Sequence, residues 1–269
     1  MLRQLLVIFT WTSLVLTISA SAIIRNSDES YDMTPDEETG ARVAQWNKEM
    51  NVNPEEMGSY IEGDIMLTRN TKRSGIIAED LFWPNARIPY EIHGNFDASQ
   101  RQLIRDAMKQ YADNTCIRFV QRTDENDYVN IYSNDTGCWS NVGRIGGPQT
   151  VNLQIPGCVT LLGTVVHELM HSAGCWHEHT RDDRDKYVII NENNIQPKAK
   201  NNFIKDDSNS NDYYGVDYDY NSVMHYSRTA FAIDPDQDTI TPTDSNASIG
   251  QRDGFSKENI KMLNNMYCN

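Results

Sequence analysis

The chain has 269 residues and a formal net charge of −14, with 24 lysines and arginines against 38 aspartates and glutamates. That balance makes nucleic acid and anionic membrane surfaces poor partners, because both repel an acidic protein. The length suits one large domain or two small ones.

Residues 1–22 read as a secretory signal peptide. Arg3 supplies the positive start, Leu5 to Ile18 an apolar middle, and Ala20-Ser21-Ala22 a small-residue cleavage pattern. Thr10, Thr12 and Ser13 interrupt the apolar run, which is too short and broken for a membrane anchor. No later stretch approaches a span, so a secreted, extracellular protein without a membrane partner is expected. Residues 23–73 are acidic and poor in aromatics, a composition that reads as weakly structured and lacking its own core. They end in Thr71-Lys72-Arg73, a basic run that a trypsin-like or furin-like protease could cut.

Beyond that run, Ile88–Ile92 is a strand candidate. A helix follows, capped by Asp97 or Ser99, with Leu103, Ile104, Ala107, Met108 and Tyr111 on one stripe. Cys116–Val120 and Tyr128–Tyr132 are further strand candidates. Gln149–Ile155 alternates polar and apolar residues, as a half-exposed edge strand would, and such an edge binds an extended peptide by strand addition. A helix is expected from about Thr160, where Gly163 leaves room for close packing. Residues 191–221 are rich in Asn, Asp and Tyr and carry little periodicity. A last helix, capped by Ser256, turns Ile260, Leu263 and Tyr267 to one face with Met266 beside them.

The chemistry concentrates in His167-Glu168-Leu169-Met170-His171-Ser172-Ala173-Gly174-Cys175-Trp176-His177. Histidines four apart on a helix lie on one face, so His167 and His171 can bind one cation. Glu168 lies a short arc away, near enough to act on a water without ligating the metal. Gly174 ends the helix in a left-handed conformation that a side chain would oppose, and the reversed chain returns His177 as a third ligand. Three neutral nitrogens and an open position describe a catalytic zinc, whereas a structural zinc is closed by four protein ligands. Two histidines and a glutamate alone would be weak; Gly174 and His177 at these spacings make the pattern that of a metzincin.

The same run, continuing through Glu178 to Asp185, and Ser222-Val223-Met224-His225-Tyr226 downstream resemble the astacin family of secreted zinc endopeptidases. The resemblance covers roughly residues 60 to 268 and implies an α+β fold of two lobes. A twisted sheet and the zinc helix form the N-terminal lobe, and the C-terminal lobe is irregular and ends in a helix. It implies a signal peptide (1–22), a propeptide (23–73) and a catalytic domain (74–269), with no appended module. One Zn2+ is expected on His167, His171 and His177, with Tyr226 as a weak further ligand that swings away to hydrogen-bond the oxyanion. Glu168 is the general base, Met224 lies under the metal without bonding it, and His225 is packing. Tyr60-Ile61-Glu62-Gly63-Asp64 resembles the family's propeptide motif, in which the aspartate binds zinc, so Asp64 is the latency candidate. Ile61 departs from the family's phenylalanine, which should weaken packing more than ligation. Cleavage after Arg73 would free Ser74, whose amine pairs in the family with the glutamate at the position of Glu178; cleavage after Arg69, leaving Asn70, is the alternative. Without that pair Glu178 would be a plain solvated carboxylate.

Five cysteines in a secreted chain indicate two disulfides and one thiol, with the pairing open from sequence alone. The family pattern implies Cys116–Cys268 and Cys138–Cys158, leaving Cys175 as a small buried hydrophobe. Asn134 and Asn246 begin glycosylation sequons. The expected activity is hydrolysis of internal bonds in protein or peptide substrates by a zymogen that another protease activates. Two rivals are a thermolysin-like peptidase with a distant glutamate ligand, and an inactive homologue that acts as a secreted binding protein. The first would not need the Gly174-to-His177 spacing, and the second would not need all of Glu168, the three histidines and Tyr226.

Overall fold

Five short strands carry the framework: β1 (Arg87–Ile92), β2 (Arg118–Gln121), β3 (Tyr128–Tyr132), β4 (Cys138–Ser140) and β5 (Pro148–Leu153). They form one sheet in the order β2-β1-β3-β5-β4, parallel except that β4 runs antiparallel to β5 at the edge. The computed structural model describes residues 34–67, 81–206 and 213–268; the signal segment, the Thr71-Lys72-Arg73 run, Arg69, Asn70 and Ser74 lie outside the described residues.

Two helices pack with the sheet, α2 (Ala98–Asn114) and α3 (Leu162–Ser172), after a short N-terminal helix α1 (Glu37–Val43). Asp97 rather than Ser99 caps α2, accepting from the Gln100 amide while the Gln100 side chain answers the Asp97 amide. Ile104, Ala107, Met108 and Tyr111 are buried along α2, as the stripe predicts. The Tyr111 hydroxyl crosses to α3 and donates to the Val166 carbonyl at 2.8 Å. The core joins Ile88, Ile131, Val151 and Leu153 of the sheet to Val165, Val166, Leu169 and Met170 of α3.

The last helix, α4 (Lys257–Tyr267), has the Ser256 cap and sends Leu263 and Met266 into that same core. The disulfide Cys116–Cys268 fastens its end beside β2, and Cys138–Cys158 ties β4 to the approach to α3. The intervening C-terminal part consists of loops and short 3-10 turns around a two-stranded sheet, β6 (Val188–Ile190) and β7 (Ile240–Pro242). It has a separate cluster that includes Val188, Ile195, Phe203, Tyr226 and Phe231. The fold is α+β, with the terminal helix packed on the N-terminal core.

Three expectations are corrected. β5 is not the edge: β3 and β4 flank it, and Val151–Leu153 are buried. The alternation is misleading because polar Asn152 is itself buried, its amide donating to the Asn134 and Gly137 carbonyls. The second strand is Arg118–Gln121, two residues later than expected, because Cys116 and Ile117 are taken up by the disulfide and by a Thr115 turn. Segment 34–67 is not weakly structured. Its Val43 joins the main core, and Tyr60, Ile65, Met66 and Leu67 are buried against the domain that follows. Composition missed this because the segment's apolar groups find their partners elsewhere in the chain.

Gly163 meets its expectation of close packing. A Cβ there would lie 2.1 Å from the Arg252 carbonyl carbon, and the Gly163 amide donates to the Arg252 carbonyl at 2.9 Å. Gly163→Ala is expected to lower unfolding stability by about 1–3 kcal/mol through overpacking, measured by urea denaturation of the full chain. A variant as stable as wild type would show that α3 does not depend on this approach.

Candidate metal centre

α3 places His167 and His171 on one face and then stops abruptly. Gly174 has φ +107°, its amide donates to the His171 carbonyl at 2.8 Å, and the Cys175 amide donates to Met170 at 3.1 Å. This paired closure is a Schellman motif, and it turns the chain so that His177 faces its two predecessors. The Glu178 amide then donates to the Met224 carbonyl at 3.1 Å, linking this loop to the Val223–Tyr226 turn.

One donor atom each from Asp64, His167, His171 and His177 lies within 4.8 Å of the others, and all four residues are buried. His167 Nδ1 is 2.8 Å from the Val223 carbonyl, His171 Nδ1 2.8 Å from the Cys175 carbonyl and His177 Nδ1 2.8 Å from Glu62 Oε2. These partners only accept, so the protons sit on Nδ1 and the Nε2 lone pairs face inward. There His171 and His177 Nε2 lie 3.1 and 3.2 Å from His167 Nε2, with Asp64 Oδ2 3.0 Å from His167 and 3.3 Å from His177. Lone pairs and a carboxylate at such distances, away from water, repel unless a cation lies among them. Three nitrogens and one carboxylate oxygen fit zinc. Where no cation is present, the same demand falls on bound protons. Burial pushes His177 toward its neutral form, but Asp64 and Glu62 outweigh it and raise its pKa to about 10. Burial likewise opposes the Asp64 carboxylate, yet His177 and His171 hold it well below its ordinary range.

Glu168 is fully buried, and neither carboxylate oxygen has a hydrogen-bond partner among the described residues. Burial raises its pKa well above the ordinary value; Asp64 and Glu55 add to the rise and Arg252 opposes it. Tyr226 is buried, and its hydroxyl donates to the Glu62 carbonyl. Met224 is buried in the main core, and His225 is packed with Nε2 2.7 Å from the Tyr218 hydroxyl. Glu178 is not solvated. It accepts from the Asp219 amide at 2.9 Å and from Arg181 at 3.2 Å, and burial lifts its pKa to about 7 against those two partners. Cys175 is a buried thiol 3.8 Å from the Met266 sulfur, with its pKa raised by burial. Asn134 is exposed, and Asn246 lies on an exposed turn where its amide donates to Asp244.

Sequence reading missed several contributors. Glu62 orients His177, and its place beside Asp64 was the available signal. Arg252 pairs with Glu55 and lies 3.8 Å from Glu56, all buried, a contact across 197 residues that no local pattern announces. Asn259 of α4 accepts from the Val223 amide at 3.0 Å and donates to Ser222 Oγ at 2.9 Å, steadying the turn that supports His167.

The profile of the astacin peptidase family matches residues 75–268. The chain belongs to the astacin family. High choriolytic enzyme 1 of Oryzias latipes is 40% identical over 213 residues, covering 77% of this chain and 77% of that protein. Zinc metalloproteinase nas-7 of Caenorhabditis elegans is 42% identical over 215 residues, 80% of this chain but only 55% of its own length. The solved structure of the Oryzias hatching enzyme superposes with a TM-score of 0.66 at 41% identity, covering 71% of this chain and 96% of that one. The astacin domain here is accordingly that of a zinc metalloendopeptidase, and its histidine–aspartate site accommodates one zinc ion.

Removing the metal should restore the repulsion among these groups. A chelator is expected to lower the thermal midpoint of the full chain by several degrees, and stoichiometric zinc to restore it, since a ligand bound only by the folded state adds to its stability. An unchanged midpoint in calorimetry would contradict the assignment of a shared cation.

Proposed function

We propose that this chain is a secreted zymogen whose segment 23–73 is a propeptide and whose residues 74–269 form an endopeptidase, activated by a trypsin-like or furin-like cut near Arg73. The observation that carries the reading is the Asp64 carboxylate lying among three inward-facing histidine nitrogens. On this reading His167, His171 and His177 hold zinc and Asp64 is the ligand of the latent state. Bound zinc supplies Lewis acidity, polarising the scissile carbonyl and acidifying water.

The chain's own residues do the rest. Glu168, with neither oxygen hydrogen-bonded among the described residues, accepts the proton of the attacking water and passes it to the leaving amine. Two of the influences that raise its pKa, Asp64 and Glu55, belong to the propeptide, while the opposing Arg252 belongs to the catalytic domain. Release of the propeptide therefore favours the ionised base. It also frees the Tyr226 hydroxyl from the Glu62 carbonyl, leaving it available to donate to the oxyanion. Met224 packs in the core below, and the Glu178 carboxylate, which already accepts from Arg181, accepts also from the new amine at Ser74 or, after the alternative cut, at Asn70. Secretion is supported by the signal-like start and the two disulfides. The sequons at Asn134 and Asn246 would then meet the glycosylation machinery.

The substrate is an extended stretch of protein chain held at β4, the strand that ends the sheet. Ser140 there already bonds residues 64 and 66 of the propeptide through its amide and carbonyl. The test is digestion of an unfolded protein by trypsin-processed full chain, with trypsin inactivated. Cleavage abolished by a chelator and restored by zinc is expected; no cleavage by zinc-loaded, correctly processed protein would favour a binding role.

Two variants test the roles. Glu168→Ala should keep its zinc by elemental analysis and lose at least about a hundredfold in kcat, the scale of general acid–base catalysis. Asp64→Ala should give measurable turnover in unprocessed protein, where wild type is silent. Near-normal kcat in the first, or silence in the second, would refute the corresponding assignment.

A further inference from the structure

We propose that the active cleft selects substrates through two apolar seats, one on Trp139 and one between Val142 and Trp176, with Asn141 clamping the peptide backbone beside them. The proposal rests on the endopeptidase reading above and specifies its substrate class: extended segments with large apolar side chains at two adjacent positions on one side of the cleaved bond.

The chain's own segment 64–67 shows what this edge accepts. It lies parallel to β4, where the Ser140 amide donates to the Asp64 carbonyl at 2.9 Å and the Met66 amide to the Ser140 carbonyl at 2.8 Å. Asn141 Nδ2 adds a third bond, to the Met66 carbonyl at 2.7 Å. Extended chain alternates its side chains across the strand. Met66 accordingly goes to one side, into a cluster with Trp139 and Tyr60, while Ile65 and Leu67 go to the other, with Val142, Ile61 and Trp176. Ile65, Met66 and Leu67 are buried to 0%, 5% and 2% exposure, so the seats are filled and dry.

Tyr60 and Ile61 leave with the segment, but the Trp139 wall of one seat and the Val142 and Trp176 walls of the other stay. Trp139 Nε1 donates to Thr136 Oγ1 at 3.1 Å, and the neighbouring Cys138 is bridged to Cys158. Asn141 Oδ1 accepts from the Thr150 amide at 3.2 Å, which aims its NH2 outward from the edge. Val142 precedes Gly143, whose amide donates to the His171 carbonyl at 2.9 Å, and Trp176 lies between the helix-closing Cys175 and the ligand-position His177. Walls fixed in this way cost an occupant little ordering. Alternation holds whichever way a peptide runs, so a substrate of either polarity presents neighbouring side chains to the two seats in turn. A charged side chain would be buried there without a partner and is disfavoured.

The test uses the full chain, zinc-loaded and processed by trypsin, on a peptide library with products read by mass spectrometry. Large apolar residues at two adjacent positions should raise kcat/KM at least about tenfold over Asp or Ser. Trp139→Ala should erase the preference at one position and Val142→Ser at the other. A second measurement guards against misfolded variants: fluorescence anisotropy of a labelled peptide with the sequence of residues 58–67 on wild-type processed protein. The Met66→Ser and Leu67→Ser forms of that peptide should bind at least about tenfold more weakly. Equal binding of the three peptides, or an unselective wild-type enzyme, overturns the seats. Selective peptide binding without chelator-sensitive cleavage of unfolded protein would instead sink the endopeptidase reading and leave the seats standing.

Discussion

Three imidazole nitrogens and a carboxylate, gathered within a few ångströms and sealed from water, can coexist only around positive charge. This requirement organises the chain. In a low-dielectric site an uncompensated cluster of lone pairs is costly, and the compensation must come from a cation or a bound proton. The raised pKa of His177 and the depressed one of Asp64 are that requirement expressed as proton affinity. Zinc satisfies it with a geometry that the donor set already matches.

Each ligand-position histidine is fixed by a different part of the fold, which makes the site rigid. His167 is held by the Val223 carbonyl, His171 by the closing turn of its own helix and His177 by Glu62. Fixing Nδ1 in this way sets the tautomer and the aim of Nε2. The third of these supports comes from segment 34–67, as do Asp64 and the carboxylates facing Arg252. Segment 34–67 is thus a structural part of the site, and on the proposed reading its release alters the orientation of His177, the environment of Glu168 and the bonding of Tyr226 together. Glu55 and Glu56 face Arg252 well away from Asp64 in sequence, and Val43 enters the main core, so the segment is also held at places remote from the metal position.

Local signals made much of this legible. Spacing in His167–His177 defined the helix, its glycine stop and the three nitrogens, because helix periodicity and the conformational freedom of Gly174 are properties of the residues themselves. Asp97 and Ser256 announced their helices by side chains that answer unpaired amides. What stayed hidden depends on distant partners. β5 read as an edge because nothing in Gln149–Ile155 shows that Asn152 is buried and hydrogen-bonded by a loop beside β4. Segment 34–67, within the 23–73 stretch, read as weakly structured because Val43, Ile65 and Leu67 bury themselves against residues far along the chain. Arg252 and Glu55 are two ordinary charges in sequence and a buried pair in space.

On the proposed reading one metal ion is shared by the three histidines and, in the unprocessed chain, by Asp64. The most direct measurement is the visible absorption of Co(II)-substituted full chain, since ligand-field bands report the donor set itself. Asp64→Ala in the unprocessed protein is expected to shift those bands in the same direction as trypsin processing of wild type. Bands identical in wild type and Asp64→Ala would show that the carboxylate does not reach the metal, and the account of latency would fall.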